Sequence, residues 1–257
     1  MEKINSSESA TVLTVAQILS LFSVSKEEIG VHEVGSTLSI SPSKVHRLLK
    51  SLDSCGFLEK NLHHKYRLGE RIFSIGSLYP LHYPLRKIVR PHLEELAKST
   101  GTGIEEVQFG ILSKQQPYSA ILLDRITNLS STNSINRIVL NLTLHSTAIG
   151  KALLAFTEEK QLENILKEAV LKRYTKYTIT DVKSLVSELK KIKENGIAWD
   201  KKETHDDSLC AAVPLFKGSV CVGAVGIKAI PAHMTKQKIK KCTDELRARA
   251  LFISRQL

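Results

Sequence analysis

The sequence feature that most constrains the fold is the pair Ser41-Pro42, because it marks the start of a helix with one apolar face. Serine is a preferred N-cap residue, and proline is favoured at the first helical position. Four apolar residues follow at the spacing of a single helix face: Val45, Leu48, Leu49 and Leu52. We therefore predict a helix that starts at Ser41 and ends near Cys55 and Gly56.

The neighbouring segments predict two earlier helices and a two-stranded wing. Apolar residues three or four positions apart predict helices over residues 9–22 and 31–38. The buried face of the first of these is expected to carry Val12, Val15, Leu19 and Phe22. Residues 57–60 and 65–68 have the pattern of short strands around a polar tip. Residues 1–80 are thus predicted to form a winged helix-turn-helix, whose third helix lies in the major groove of DNA.

The outward side chains of this predicted unit are suited to contacts with DNA. They offer hydroxyl, imidazole, ammonium and guanidinium donors to base edges and phosphates. Arg47 is the leading candidate for a bidentate contact with guanine. The predicted DNA-binding residues are Ser41, Ser43, Lys44, His46, Arg47 and Lys50 on the helix and His64, Lys65 and Arg67 in the wing. The alternative is a basic helix face that is simply solvated.

The distribution of charge supports this prediction only locally. Residues 41–71 contain seven basic and three acidic residues, whereas residues 1–80 contain nine and eight. The formal net charge of the chain is +11, and residues 101–257 carry 24 basic against 16 acidic residues. Net charge alone therefore does not identify the half that binds DNA.

The second half of the chain has a different pattern. Residues 81–100 predict a linker helix, and strands mixed with helices follow. Strands are predicted over residues 104–112, 118–125, 137–144, 197–200, 210–214 and 220–227, and helices over 146–156, 158–169, 181–195 and 235–255. Residues 101–257 are thus expected to form a mixed α/β domain, which makes the chain a two-domain α/β protein.

Composition excludes several other classes of protein. Hydrophobic residues make up 42% of the chain, and no stretch reaches the roughly 20 consecutive apolar residues of a membrane helix. The N-terminus has no basic cluster leading into an apolar run, so we expect no secretory signal and a cytoplasmic location. The four cysteines lie far apart, which argues against both a disulfide framework and a zinc site.

The sequence closely resembles the IclR family of bacterial transcription regulators. Residues 41–49, with Gly56-Phe57-Leu58 and Tyr66-Arg67-Leu68-Gly69, are similar to the family's N-terminal winged helix. Residues 144–155 and 196–214 are similar to its effector domain. The resemblance is weakest over residues 115–137 and in the basic stretch 167–177. It implies a GAF- or profilin-like domain over residues 101–257 that binds an effector and mediates assembly into a homodimer or homotetramer.

The resemblance also implies an effector pocket. Transferred position by position, its lining would be Leu142, Ala148, Ile149, Asp200, Cys210, Gly226 and Lys228. Some relatives place small hydroxyl residues where this chain has Gly226 and Lys228. This chain would therefore lack those hydroxyl donors and present a cation instead, which favours an anionic ligand. The alternative is that Lys228 lies at the exposed end of its strand.

The residues after Leu144 support an anion site independently of the resemblance. A small polar turn that leads from a strand into a helix presents free N–H groups to a carboxylate or phosphate. The alternative is that Ser146 and Thr147 only cap the helix.

Together these features predict a transcription regulator that binds a double-stranded DNA operator and a small organic acid. We expect no enzyme activity, no cofactor, no metal and no membrane partner. One alternative is a thiol enzyme with Cys210 as nucleophile, His145 or His205 as base and Asp200 as the orienting acid. Another is a protein-interaction module. A metal site from His63, His64 or His205 with Asp206 and Asp207 has no supporting spacing.

Overall fold

The computed structural model describes residues 9–23, 25–101, 103–114, 118–127 and 141–257. Contacts divide the chain into two compact units, Met1–His82 and Tyr83–Leu257. Each unit has its own apolar core. The two units are described separately below.

The first unit is helical with a small antiparallel sheet. Its elements are α1 (Ala10–Leu19), β1 (Glu28–Ile29), α2 (Val31–Leu38), α3 (Pro42–Ser54), β2 (Leu58–Lys60), β3 (Tyr66–Leu68), α4 (Glu70–Gly76) and α5 (Leu78–His82). The strands pair in the order β1-β3-β2. The sequence predicted β2 and β3 but not β1, because a two-residue strand is too short to show an alternating pattern.

The predicted inner face of α3 is confirmed, since all four of its apolar residues are buried. The side-chain cap predicted for Ser41 does not form. Ser41 occupies the N-cap position, but its hydroxyl accepts no backbone N–H and lies 3.4 Å from the Ser43 hydroxyl. The start of α3 therefore depends on Pro42 and on the buried stripe rather than on a side-chain cap.

The predicted inner face of α1 is confirmed for three of its four residues, because Val15, Leu19 and Phe22 are partly buried and pack against the core. Thr14 and Ile18 are its buried residues, while Val12 is exposed and the helix ends at Leu19 rather than Phe22. Apolar residues occupy most sides of this helix. Spacing alone therefore located the side that faces the core only approximately.

The second unit is built around a six-stranded antiparallel sheet in the order β6-β5-β4-β9-β8-β7. The strands are β4 (Ile104–Leu112), β5 (Ala120–Thr127), β6 (Asn141–Leu142), β7 (Ala198–Lys201), β8 (Leu209–Lys217) and β9 (Val220–Ala229). The helices are α6 (Pro84–Thr100), α7 (Ala148–Ala155), α8 (Glu159–Glu168), α9 (Val182–Asn195) and α10 (Lys236–Arg255). A 3₁₀ turn, Pro231–His233, precedes α10. Of the strand predicted over residues 137–144, residues 137–140 lie outside the described residues.

Helices cover both faces of this sheet. α6 and α10 pack on one face around Leu93, Leu246 and Val225. α7 and α9 pack on the other around Ala152, Leu189 and Ala212. The segment predicted as a linker over residues 81–100 contains α6, whose buried residues contribute to the core of the second unit.

Candidate functional site

The exposed face of α3 carries the predicted donors. Ser43, His46, Arg47 and Lys50 are exposed, and Lys44 is partly exposed. Among the residues that the structure describes, none forms an ion pair with Lys44, Arg47 or Lys50. A phosphate or a base edge could therefore contact these cations without first displacing an acidic partner.

The wing formed by β2 and β3 has an ordered tip. The Asn61 side-chain oxygen accepts the N–H groups of His63 and Lys65, each at 3.0 Å. His64 adopts a left-handed backbone conformation with φ of 60°. The predicted wing residues His64 and Lys65 are exposed beside this turn, so their side chains are presented by a fixed backbone.

Arg67 differs from the other predicted DNA-binding residues. Its guanidinium donates to both oxygens of Glu59, with Nε–Oε2 at 3.2 Å and Nη2–Oε1 at 2.8 Å. These hydrogen bonds lower the pKa of the Glu59 carboxyl. Because the two residues face each other across β2 and β3, Arg67 first of all connects the two strands of the wing.

In the second unit, one cavity of about 670 Å³ brings together all the residues predicted to form an effector pocket. They are Leu142, Ala148, Ile149, Asp200, Cys210, Gly226 and Lys228. They come from β6, α7, β7, β8 and β9. The question that the sequence left open for Lys228 is thus resolved in favour of the cavity side of its strand.

The cavity also contains charges that sequence reasoning missed. Lys228 Nζ lies 3.1 Å from Glu105 Oε2, and Arg125 Nη1 lies 3.6 Å from Glu106 Oε1. Gln108 donates to Glu106 at 2.7 Å. The two main cations of the lining are therefore already opposed by carboxylates.

A bulge in β4 explains why both glutamates reach the cavity. The pairing of β4 with β9 shifts register between Ile104 and Glu106. An extra residue in one strand breaks the strict alternation of side chains, so neighbours can line the same side. The available signal was the Glu105-Glu106 pair inside a largely apolar strand, but a bulge cannot be recognised from alternation alone.

The first turn of α7 borders the cavity. Thr147 is the N-cap, and its hydroxyl accepts the Gly150 N–H at 3.0 Å and donates to the Thr143 carbonyl at 2.6 Å. Ala148 and Ile149 follow in the cavity lining. Their N–H groups, like those of any first helical turn, have no acceptor within the helix. The capping alternative thus holds for Thr147 but leaves donors that could meet an anion.

The segment after β7 is fixed at one side of the cavity. Asp200, only 2% exposed, accepts the N–H of Glu203 at 2.7 Å and that of Thr204 at 3.3 Å. Burial raises the pKa of its carboxyl. Next to it, the fully buried ammonium of Lys151 forms an ion pair with Glu203. This pair joins α7 to the segment that carries Thr204 and His205 into the lining.

The thiol of Cys210 is not arranged as a nucleophile. Burial raises its pKa, and the Asp200 carboxylate adds to the shift, so the thiol stays protonated at neutral pH. The His145 ring instead contacts the Lys172 carbonyl at 3.0 Å. The thiol-enzyme alternative is therefore not favoured.

The structure also bears on a metal site and on a membrane-spanning helix. Within those ranges, no three His, Cys, Asp or Glu side chains lie close enough together to hold a metal ion. No helix in the described part of the chain is both long and apolar enough to cross a membrane.

Two family models match the chain. The IclR helix-turn-helix domain matches residues 12–62, and the bacterial transcriptional regulator IclR C-terminal model matches residues 79–255. The chain belongs to the IclR family. The resemblance seen in the sequence is thereby confirmed, as is the predicted combination of a helix-turn-helix with a mixed α/β effector domain.

Relatives and solved structures of the IclR family are similar to this chain over most of its length. The regulator XynR of Escherichia coli is 27% identical over 94% of both proteins, and BhcR of Paracoccus denitrificans is 31% identical over 88% of this chain and 80% of BhcR. The Thermotoga maritima IclR structure is 29% identical, with a TM-score of 0.65 over 96% of this chain and 98% of that one. A Brucella abortus family structure is 20% identical, with a TM-score of 0.82 over 100% and 95%. The relatives are named as transcriptional regulators rather than as enzymes.

The buried ion pair yields a prediction about stability. Lys151→Met leaves the Glu203 carboxylate buried without its cation, and Glu203 Oε2 already has no hydrogen-bond partner in the described part of the chain. Such a loss typically costs about 3–5 kcal/mol of unfolding free energy. Urea unfolding of the full chain measures it. The double variant Lys151→Met/Glu203→Leu should recover most of the loss, and a single variant as stable as the wild type would contradict the assignment.

Proposed function

We propose that this IclR-family regulator reads an operator with α3 and the wing and senses a small organic acid in the cavity of its second unit. The observation that carries the proposal is that five separate elements converge on one cavity, while α3 presents exposed cations on its outer face. Because an operator is part of the DNA inside the cell, we propose that the protein is cytoplasmic.

For operator recognition we assign base reading to Arg47. It is exposed in the first half of α3, with a guanidinium that can reach the two acceptors of guanine. Lys44 and Lys50 are suited to phosphates, and Ser41, Ser43 and His46 to either phosphates or bases. In the wing, His64 and Lys65 are the better candidates, because Arg67 is already held by Glu59.

We further propose that the regulator acts as a symmetric dimer. α4 and α5 carry apolar side chains that are half or more exposed to solvent, including Phe73, Ile75 and Tyr79. Exposed apolar surface of this kind marks an interaction site. A second copy is the fitting occupant, because two-fold symmetry matches a palindromic operator. Pairing of two dimers would then give the homotetramer.

The cavity favours an organic acid that also carries hydrogen-bond donors. Since Glu105 already opposes Lys228, this lysine is weaker support for an anionic ligand than its position in the sequence suggested. We assign the ligand's carboxylate to the N–H groups at the start of α7. The glutamates of β4 and Asp200 then suit hydroxyl groups elsewhere on the ligand. A solved IclR homologue from Microbacterium hydrocarbonoxydans is complexed with 4-hydroxybenzoate, a hydroxy acid.

Strand β5 offers a physical connection between the cavity and α6. Arg125 lines the cavity, and its neighbour Asp124 is buried and ion-paired with α6. The Asp124 oxygens lie 2.9 Å from Arg86 Nε and 2.7 Å from Arg90 Nη1. Consecutive strand residues point to opposite faces, so a ligand that moves β5 acts on α6. This helix begins two residues after the end of the first unit, and we propose that it transmits the signal.

The role of Arg47 is tested by two substitutions. Arg47→Ala should cost about 1–3 kcal/mol of binding on a duplex that the full chain selects from a random pool. Arg67→Ala serves as the matched control and should cost less, because its guanidinium is engaged by Glu59. Fluorescence anisotropy measures both. An equal loss by Arg47→Ala on random duplex DNA would reassign this residue to phosphate binding.

The ligand class is tested by thermal unfolding of the full chain with pairs of acids that differ only in a hydroxyl group, including 4-hydroxybenzoate and benzoate. A ligand at 100 times its Kd adds about 2.7 kcal/mol, which corresponds to a rise in Tm of about 5–10 °C. We expect the hydroxy acid to give the larger rise within a pair. Equal or inverted shifts within every pair would contradict the proposed class.

A glutamate variant checks that the shift arises in the cavity. Glu105→Gln removes the anionic partner of Lys228. The rise in Tm produced by simple carboxylates should therefore increase relative to the rise produced by hydroxy acids. Glu163→Gln on the exposed side of α8 is the control and should leave the order unchanged. An unchanged order in Glu105→Gln would place the ligand elsewhere.

A further inference from the structure

Most of the positive charge of the chain remains unexplained by operator reading. Nine of the 37 basic and eight of the 26 acidic residues precede Tyr83, so ten of the eleven net positive charges belong to the second unit. Within it, residues 169–180 contain three basic residues and no acidic residue. We call residues 172–178 the basic loop.

Hydrogen bonds hold the basic loop in one conformation. The Thr175 hydroxyl donates to the Lys202 carbonyl at 2.7 Å, and the Thr178 hydroxyl donates to the Glu203 carbonyl at 2.6 Å. The Thr178 oxygen also accepts the N–H of Thr175 at 2.9 Å. At the start of the loop, His145 contacts the Lys172 carbonyl. Because the backbone is fixed, little ordering entropy is lost when the loop binds a partner.

The side chains of the loop face solvent and carry unneutralised charge. Lys172, Arg173 and Lys176 are exposed, and so is Lys202 beside them. None of these four cations takes part in an ion pair with any residue in the described ranges. A fixed, solvent-facing group of four cations is the electrostatic pattern of a surface that binds a polyanion.

Two tyrosines accompany these cations. Tyr174 is 40% exposed and Tyr177 is 49% exposed. The Lys172 ammonium lies 5.6 Å from the ring centroid of Tyr174, and that of Lys176 lies 5.1 Å from the ring centroid of Tyr177. Contact with the rings limits the motion of both lysines, and tyrosine hydroxyls are themselves donors to phosphate.

We propose that the basic loop and Lys202 bind the phosphate backbone of duplex DNA as a contact separate from α3 and the wing. Lysine is depleted at protein–protein interfaces, whereas lysine, arginine and tyrosine are usual donors to phosphate oxygens. The inference rests on the proposed function, because a duplex bound by α3 and the wing is already attached to the molecule that carries the basic loop. A weak second contact on a tethered duplex adds to affinity through effective concentration.

The test measures the salt dependence of binding of the full chain to a 60-base-pair random-sequence duplex. The variant is Lys172→Gln/Arg173→Gln/Lys176→Gln. A matched control, Lys236→Gln/Lys238→Gln/Lys240→Gln, removes the same charge from exposed positions on α10. Each lost phosphate contact lowers the slope of log K against log salt by about 1. We expect the loop variant to lose about 2–3 in slope per bound protomer and the control to lose less than 1.

Two results would overturn the inference. If the loop variant keeps the wild-type slope, the loop does not contact DNA, and its partner belongs to another class such as an acidic protein. If both triple variants lose the same slope, the effect is diffuse charge rather than a site. Failure of the proposed function looks different, because the wild-type chain would then select no preferred duplex from a random pool, whatever salt slope the basic loop contributes.

Discussion

The alternation of side chains across the six-stranded sheet is the constraint on which the rest of the second unit depends. One face of the sheet packs against α6 and α10, and the other packs against α7 and α9 and borders the cavity. Each strand therefore carries core residues for two layers at once. In β5 this places Arg125 in the cavity and Asp124 in contact with α6, so the cavity and the helix that follows the first unit share one strand.

The cavity and the basic loop both depend on the position of the segment after β7. The ion pair between Lys151 and Glu203 fixes this segment to α7. The basic loop is hydrogen-bonded to the backbone of the same segment, at Lys202 and at Glu203 itself. The cavity and the basic loop thus share an anchor. Because desolvation offsets much of the attraction within a buried ion pair, the clearest effect of this pair is to fix the position of the segment against α7.

The sequence predicted much of the fold because its strongest signals are local. Ser41-Pro42 and the apolar stripe placed α3 within one or two residues, and the residues implied by the family resemblance meet in one cavity. Features that depend on irregular geometry or on partners distant in sequence were missed. The bulge that turns Glu105 and Glu106 to the same side, the pairing of Lys228 with Glu105 and the short strand β1 are of this kind.

In the mechanism that we propose, occupancy of the cavity and affinity for the operator are coupled. The most direct test is the affinity of the full chain for its selected duplex, measured with and without the acid that gives the largest rise in Tm. Such coupling predicts a change of about 5- to 150-fold, and the duplex must change the affinity for that acid by the same factor. Identical operator affinities with the cavity empty and saturated would contradict it.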